Sequence, residues 1–175
     1  MRYLGIDPGE ARVGLALSDE EGVIAHPRGH VSGRGTPEQV AERVRAALAG
    51  EGVVRVVVGL PLRLDGTEGL PARRARVLGR AIAKALGVPA SFRDERLTTV
   101  QAERSLGELG VKGQARRKIV DEAAAALLLQ AFLDARTERK WQREREAGED
   151  PGTGRRSERR GARPPSGTPD PDESP

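Results

Sequence analysis

Hydrophobic positions near the start of the chain recur every second residue, and further on every third or fourth. Leu4 and Ile6 alternate with Tyr3, Gly5 and Asp7, so Arg2 to Asp7 reads as a strand. Val13 to Ser18 and Val23 to Val31 read as two more, with Gly9, Asp19 and Gly22 at the turns, which together predict an antiparallel meander. Thr36-Pro37-Glu38-Gln39 then combines an N-cap, a proline at the first helical position and a capping-box glutamine, ahead of Val40, Ala41, Val44, Ala47 and Leu48 at helical spacing. Val53 to Gly59 is almost uninterrupted valine, as expected of a strand buried on both faces. A loop, a helix over roughly 68–86 and a strand from Pro89 to Arg93 follow. A short helix from Thr98 to Leu109 and a long Ala- and Leu-rich one from Gln114 to Ala135 complete the pattern. This order predicts an α/β fold: a five-stranded mixed sheet flanked by helices on both faces.

The apolar periodicity stops near Thr137, after which Glu, Arg, Gly, Pro and Ser dominate and Trp141 is the only large hydrophobe. The expected organisation is one folded domain over 1–137 and a disordered polar tail over 138–175, with the last helix running on towards Trp141. The chain carries 30 basic and 26 acidic residues, and the tail holds nine of each, so the whole net charge of +4 belongs to the folded part. That excess and a pI near 10.1 suit an anionic partner without identifying one. The absence of cysteine excludes disulfides, thiolate metal sites and thiol catalysis. A metal must therefore sit on oxygen or imidazole. His26 and His30 alone make a weak case for zinc, which in catalytic sites takes three protein ligands. No apolar run is long enough for a membrane span and no leader pattern opens the chain, so a cytoplasmic protein without membrane association is expected.

Three places could carry chemistry. Asp7 ends the first strand immediately before Pro8-Gly9, where a carboxylate projects from the sheet's end or caps the Pro-Gly bend. The glycine-punctuated segment from Asp7 to Gly14 could bring backbone amides and Arg12 close to a phosphate. Asp94, Glu95 and Arg96 follow the last strand, again at a strand end, either as site residues or as a charged loop. Asp121 shares a helical face with Ala124, Ala125, Leu128 and Phe132. A carboxylate on an apolar stripe needs a partner, which could be an arginine at the stripe's edge or metal ions held with other carboxylates. Glu122, on the neighbouring face beside Lys118, reads as a surface ion pair.

Four blocks, in order over about residues 1–135, resemble the YqgF/RuvX family. They are Asp7-Pro8-Gly9-Glu10-Ala11-Arg12-Val13-Gly14-Leu15-Ala16-Leu17-Ser18-Asp19; Gly59-Leu60-Pro61-Leu62 with Asp65-Gly66 and Gly69; Asp94-Glu95-Arg96-Leu97-Thr98-Thr99; and Val120-Asp121-Glu122-Ala123-Ala124-Ala125-Ala126 with Gln130. The resemblance implies a ribonuclease H-like fold related to the Holliday-junction resolvase RuvC, and a nuclease role in maturing the 5′ end of pre-16S rRNA. On that reading Asp7, Glu95 and Asp121 are the catalytic residues and ligands of one or two Mg²⁺ or Mn²⁺ ions. Arg12, Arg63 and Arg96 are the candidate phosphate contacts. The chain departs from the family pattern at two places. Leu78-Gly79 stands where many relatives carry an aromatic residue, so looser packing of that helix is expected. The acid that the wider superfamily supplies after the fourth strand is replaced by Gly59-Leu60-Pro61, which makes Glu95 the first choice of second ligand and Asp94 the next.

The expected partner is nucleic acid, either pre-16S rRNA, including ribosomal precursor particles, or branched DNA, with the chain as monomer or homodimer. A non-catalytic ribosome-assembly module of the same fold is the main alternative. An actin-like or sugar-kinase-like ATPase would need two such domains, and the folded length provides one. With one Tyr, one Trp and two Phe, the chain lacks an aromatic platform for stacking bases, so binding would run through the phosphate backbone.

Overall fold

The computed structural model describes residues 1–94 and 113–146, and within the second span the side chains from Ala123 to Arg143 and that of Arg145. Its elements are β1 (Arg2–Pro8), β2 (Arg12–Ser18), β3 (Ala25–Ser32), α1 (Pro37–Ala47), β4 (Val53–Leu60), α2 (Leu70–Leu86), β5 (Ala90–Asp94) and α3 (Gly113–Glu146). They form one five-stranded sheet in the order β3-β2-β1-β4-β5. The first three strands pair antiparallel, and β1, β4 and β5 run parallel. The mixed sheet anticipated from periodicity is therefore present.

Side-chain alternation divides the sheet into two unlike faces. Leu4, Ile6, Val13, Leu15, Leu17, Val56 and Val58 pack with Val40, Val44 and Leu48 of the α1 region and with Ile82 of α2. The opposite face presents Gly5, Gly14, Ala16 and Val57 to α3, whose Ala125, Leu128, Leu129, Phe132 and Leu133 make the second core. β4 needs apolar side chains in both directions where helices cover both faces, which is why valine fills it on both sides except at Arg55. At α1, Gln39 N–H donates to Thr36 Oγ1 at 3.3 Å and Thr36 N–H to Gln39 Oε1 at 3.0 Å, the reciprocal cap read from the sequence.

Four features differ from the sequence reading or fall beyond it. Val23 and Ile24 are exposed in a turn before β3, because Asp19 Oδ1 accepts from Val23 N–H at 2.7 Å and Asp19 O accepts from Gly22 N–H. Gly79 does not loosen α2: a methyl there would stand 2.8 Å from Val58 Cγ2 and 2.9 Å from Phe92 Cε1, so this glycine is where the helix meets the sheet. The helix α3 continues past Ala135 to Glu146. The short helix expected from Thr98 to Leu109 and residues 147–175 of the expected tail lie outside the described residues. The chain divides into two units, Met1–Arg139 and Lys140–Pro175. Among the described residues no helix is long and apolar enough to cross a membrane.

The tightest contact between α3 and the sheet is at Gly5, where a Cβ would stand 2.7 Å from Ala125 O and 2.9 Å from Leu129 Cβ. A backbone carbonyl inside a helix cannot swing aside as a side-chain tip can. Gly5→Ala is therefore expected to destabilise the domain by about 1–3 kcal/mol through overpacking, read as a lower urea midpoint with unchanged slope.

Candidate active site at the carboxyl edge of the sheet

Because β1, β4 and β5 are parallel, their carboxyl ends share one edge, and this edge collects Asp7, Leu60 and Asp94. Asp7 is half-buried and pairs across the ladder with Gly14. A methyl at Gly14 would lie 3.4 Å from Asp7 Cβ and 3.6 Å from Ala125 Cβ, so the glycine keeps a small space open between the aspartate and α3. Asp121 is a residue of α3, one helical turn before Ala125. The stripe that was expected to hold it is real, since Ala125, Leu128 and Phe132 are buried in the second core, with Ala124 at its margin.

The pleat fixes the side of the sheet on which Asp94 lies, one of the two acids that the sequence offered at the end of β5. Phe92 lies in register with Val58, whose own partner is Ile6, and this row faces α2. Arg93, one residue on, faces α3, with its guanidinium 5.1 Å from the Phe132 ring. Asp94, paired with Leu60, then returns to the α2 side, opposite to Asp7. Glu95 and Arg96 lie outside the described residues, as does the side chain of Asp121. Among the described residues no three Asp, Glu or His side chains gather into a metal-binding group.

Two loops frame the edge. The β1–β2 turn folds tightly on itself: a Cβ at Gly9 would meet Arg12 O at 2.5 Å, and Gly33 approaches from the side, its N–H donating to Ala11 O at 3.0 Å. Arg12 leaves this turn exposed. Glu10 reaches Arg74 of α2 at 3.1 Å, an open pair that contributes little to stability. In the β4–α2 loop, Arg63 N–H donates to Thr67 O and Gly66 N–H to Arg63 O, while Asp65 Oδ1 accepts from both Thr67 N–H and Thr67 Oγ1. The exposed Arg63 side chain lies against Gly69 at the start of α2. Arg12 and Arg63 thus stand, with exposed side chains, on the edge that carries Asp7.

At the foot of α2, the Arg76 guanidinium holds the Glu68 carboxyl below its ordinary range and is itself raised. Arg93 is the cation that sequence reasoning overlooked. Burial and the neighbouring Arg139 charge lower its proton affinity. Its alternation with Phe92 in β5 was the available indication that it faces away from the α2 core. A polar concavity lined by Met1, Arg2, Glu20 and residues 49–52 lies at the amino ends of the same strands, tied across by Arg2–Glu51 at 3.1 Å, and contains none of the candidate residues.

Residues 1–135 match the model of a family described as RuvX, Holliday junction resolvase. The chain belongs to the RuvX family. It is 40% identical over 135 residues to a protein of Pelotomaculum thermopropionicum, covering 77% of this chain and 88% of that one. It is 46% identical over 136 residues to one of Anaeromyxobacter sp. strain Fw109-5, covering 78% and 98%. Both relatives bear the name "Putative pre-16S rRNA nuclease". Among solved structures, Thermus thermophilus RuvC in complex with Holliday junction substrate aligns at 22% identity and a TM-score of 0.48, over 78% of this chain and 96% of that chain. Within this RuvX-family chain the strand order and directions are those of a ribonuclease H-like sheet. The first family block closes β1 and turns into β2, and the second forms the loop that presents Arg63.

Asp65→Ala removes the acceptor that holds Thr67 twice. The outcome expected is faster amide hydrogen exchange confined to residues 62–69, with global stability lowered by about 1 kcal/mol or less.

Proposed function

We propose that this chain is a metal-dependent nuclease acting on phosphodiester bonds at the 5′ end of pre-16S rRNA during ribosome biogenesis in the cytoplasm, with Asp7, Glu95 and Asp121 as its catalytic carboxylates. The observation that carries the proposal is the position of Asp7, half-buried at the carboxyl edge beside Gly14 and Ala125, in a chain whose relatives bear the name of a pre-16S rRNA nuclease.

Helix geometry supports Asp121 as the partner of Asp7. From Phe132 near Tyr3 to Ala125 near Gly14, α3 crosses the sheet towards the carboxyl edge. One more turn, about 5–6 Å, carries it on to Asp121. The pleat argues against Asp94, which lies on the side of the sheet away from Asp7, and this supports Glu95 as the second ligand.

An all-carboxylate donor set suits a hard divalent cation, and the space kept by Gly14 leaves room for one beside Asp7. Asp7, Glu95 and Asp121 would hold Mg²⁺ or Mn²⁺, which would supply Lewis acidity at the phosphate and lower the pKa of water so that hydroxide becomes available as the nucleophile. The protein's own contribution is placement. Asp7 is fixed by the β1–β2 ladder, Asp121 rides on a helix pinned to that ladder, and Arg12, Arg63 and Arg96 would clamp the flanking phosphates through charge-assisted hydrogen bonds.

The family's description as a Holliday junction resolvase supports a second reading in which the substrate is branched DNA. A symmetric junction calls for a homodimer with two-fold symmetry, whereas a single rRNA strand needs only a monomer. The test is cleavage of end-labelled precursor rRNA and of a synthetic four-way junction by purified wild type, Asp7→Asn, Glu95→Gln and Asp94→Asn in Mg²⁺, Mn²⁺ or EDTA. Metal-dependent cutting by wild type and Asp94→Asn but not by Asp7→Asn or Glu95→Gln is expected, and the substrate cut names the target. Mg²⁺ is also expected to raise the melting temperature of wild type more than that of Asp7→Asn. A folded Asp7→Asn protein that still cuts would overturn the assignment; tight binding of precursor rRNA with no cutting by wild type would make the chain an assembly module.

A further inference from the structure

The face of the sheet beside α3 carries an arrangement of arginines that the carboxyl-edge site does not use. On α3 the apolar stripe through Leu129 and Phe132 is continued, four and seven residues after Phe132, by Arg136 and Arg139. On the sheet, Arg55 is the partner of Tyr3, and Ser91 and Arg93 are the partners of Val57 and Gly59, so all three lie on the α3 side of β4 and β5. The Arg93 guanidinium stands 5.1 Å from the Phe132 ring centre and the Arg136 guanidinium 5.2 Å from that of Tyr3, while the two rings are 5.7 Å apart. Arg55 Nη1 donates to Ser91 Oγ at 3.0 Å, and Arg139 Nε donates to Ala135 O.

None of these four arginines forms an ion pair among the described residues. Arg2, Arg28, Arg45, Arg74 and Arg76 each pair with a glutamate, and what sets the four apart from other arginines without such a pair is that they share one face, two of them over aromatic rings. Like charges gathered on one face repel, and the lowered proton affinity of Arg93 records both its burial and the charge of Arg139. Such a cluster is stabilised when an anion is supplied from outside. A guanidinium stacked on an aromatic ring keeps its N–H donors free at the edge of its plane, in the fork that fits phosphate oxygens, and its rotamer is already restricted.

We infer that Arg55, Arg93, Arg136 and Arg139 form a phosphodiester-binding track that starts at the level of Asp7 and runs along β4 and β5 beside α3 towards the amino edge of the sheet. The track guides the strand leading away from the carboxyl-edge site. The choice of phosphodiester over another polyanion rests on the proposed nuclease reading; the presence of an anion track rests on four arginines that share one face and have no ion pair among the described residues. Its contacts are to the backbone, so they are blind to base sequence and sensitive to salt.

The experiment is fluorescence anisotropy of the full chain with a short unstructured RNA in EDTA, where no cutting intervenes, over a range of salt. Arg93→Gln/Arg136→Gln is expected to weaken binding roughly tenfold or more and to reduce the slope of log affinity against log salt by about 1.4, from about 0.7 per lost phosphate contact. Arg93→Lys/Arg136→Lys keeps both charges and is expected to retain the slope; should the glutamine pair fail to fold, Arg136→Gln and Arg139→Gln, at exposed positions of α3, are each expected to lower the slope by about 0.7, and an unchanged slope in both would overturn the track. Arg45→Gln, whose partner is Glu42 on the surface of α1, should change neither quantity. A folded glutamine pair with unaltered affinity and slope would overturn the track, and polyglutamate competing as well as RNA at equal charge would overturn its assignment to phosphodiesters. Cleavage by wild type and its loss in Asp7→Asn bear on the nuclease reading alone, so the two can fail separately.

Discussion

The approach of α3 to β1 and β2 governs most of what this protein can do. Gly5, Gly14 and Ala16 leave one face of the hairpin nearly flat, so the helix settles with the Ala125 carbonyl where a side chain of residue 5 would otherwise be. Dispersion forces fall steeply with separation, and a helix this close gains contacts along its whole buried stripe. The close fit also removes freedom: α3 can neither rotate nor slide without driving Leu129 or Ala125 into the strand. A helix carrying an acid at position 121 is thereby held in register with a strand carrying an acid at position 7. The glycines usually credited to backbone flexibility here act by being small.

The two faces of the sheet divide the work. Leucine, isoleucine and valine on the α1 and α2 face supply the larger core, including the close seat of Gly79 on Val58 and Phe92. The α3 face holds a smaller core flanked by polar and charged groups, with Asp7 at the carboxyl edge and arginines further along. Stability is concentrated on one side, which leaves the other able to accept charge. The same asymmetry separates Asp94 from Asp7, although both end parallel strands, because their parities in the pleat differ.

Around the edge, loops do the positioning that strands cannot. The β1–β2 turn is closed by Gly9 and Gly33 and the β4–α2 loop by Asp65 and Thr67, so Arg12 and Arg63 project from short, internally bonded segments. Guanidinium groups on such supports lose less freedom on meeting a phosphate than they would on slack loops. On the proposed function, binding would then rest on geometry prepared before any strand arrives.

The sequence by itself determined the features whose causes are local: the Thr36–Gln39 capping box, the doubly buried valine strand, Asp7 at a strand end before Pro-Gly, and the apolar stripe below Asp121. Each is a matter of propensity, capping or periodicity within a few residues, and four family blocks in order supplied the kinship. What only the tertiary structure decided is how distant residues meet. Val23 and Ile24 look like strand residues until Asp19 gathers their turn. Leu78-Gly79 suggests loose packing until the glycine is seen pressed on β4 and β5. Arg93 is one charge among many until the pleat sets it over Phe132, next to a helix that arrives from the other end of the folded chain. Pairing register and helix approach depend on contacts between residues far apart in the chain, and a one-residue change of register would exchange the faces on which Asp7, Arg93 and Asp94 lie.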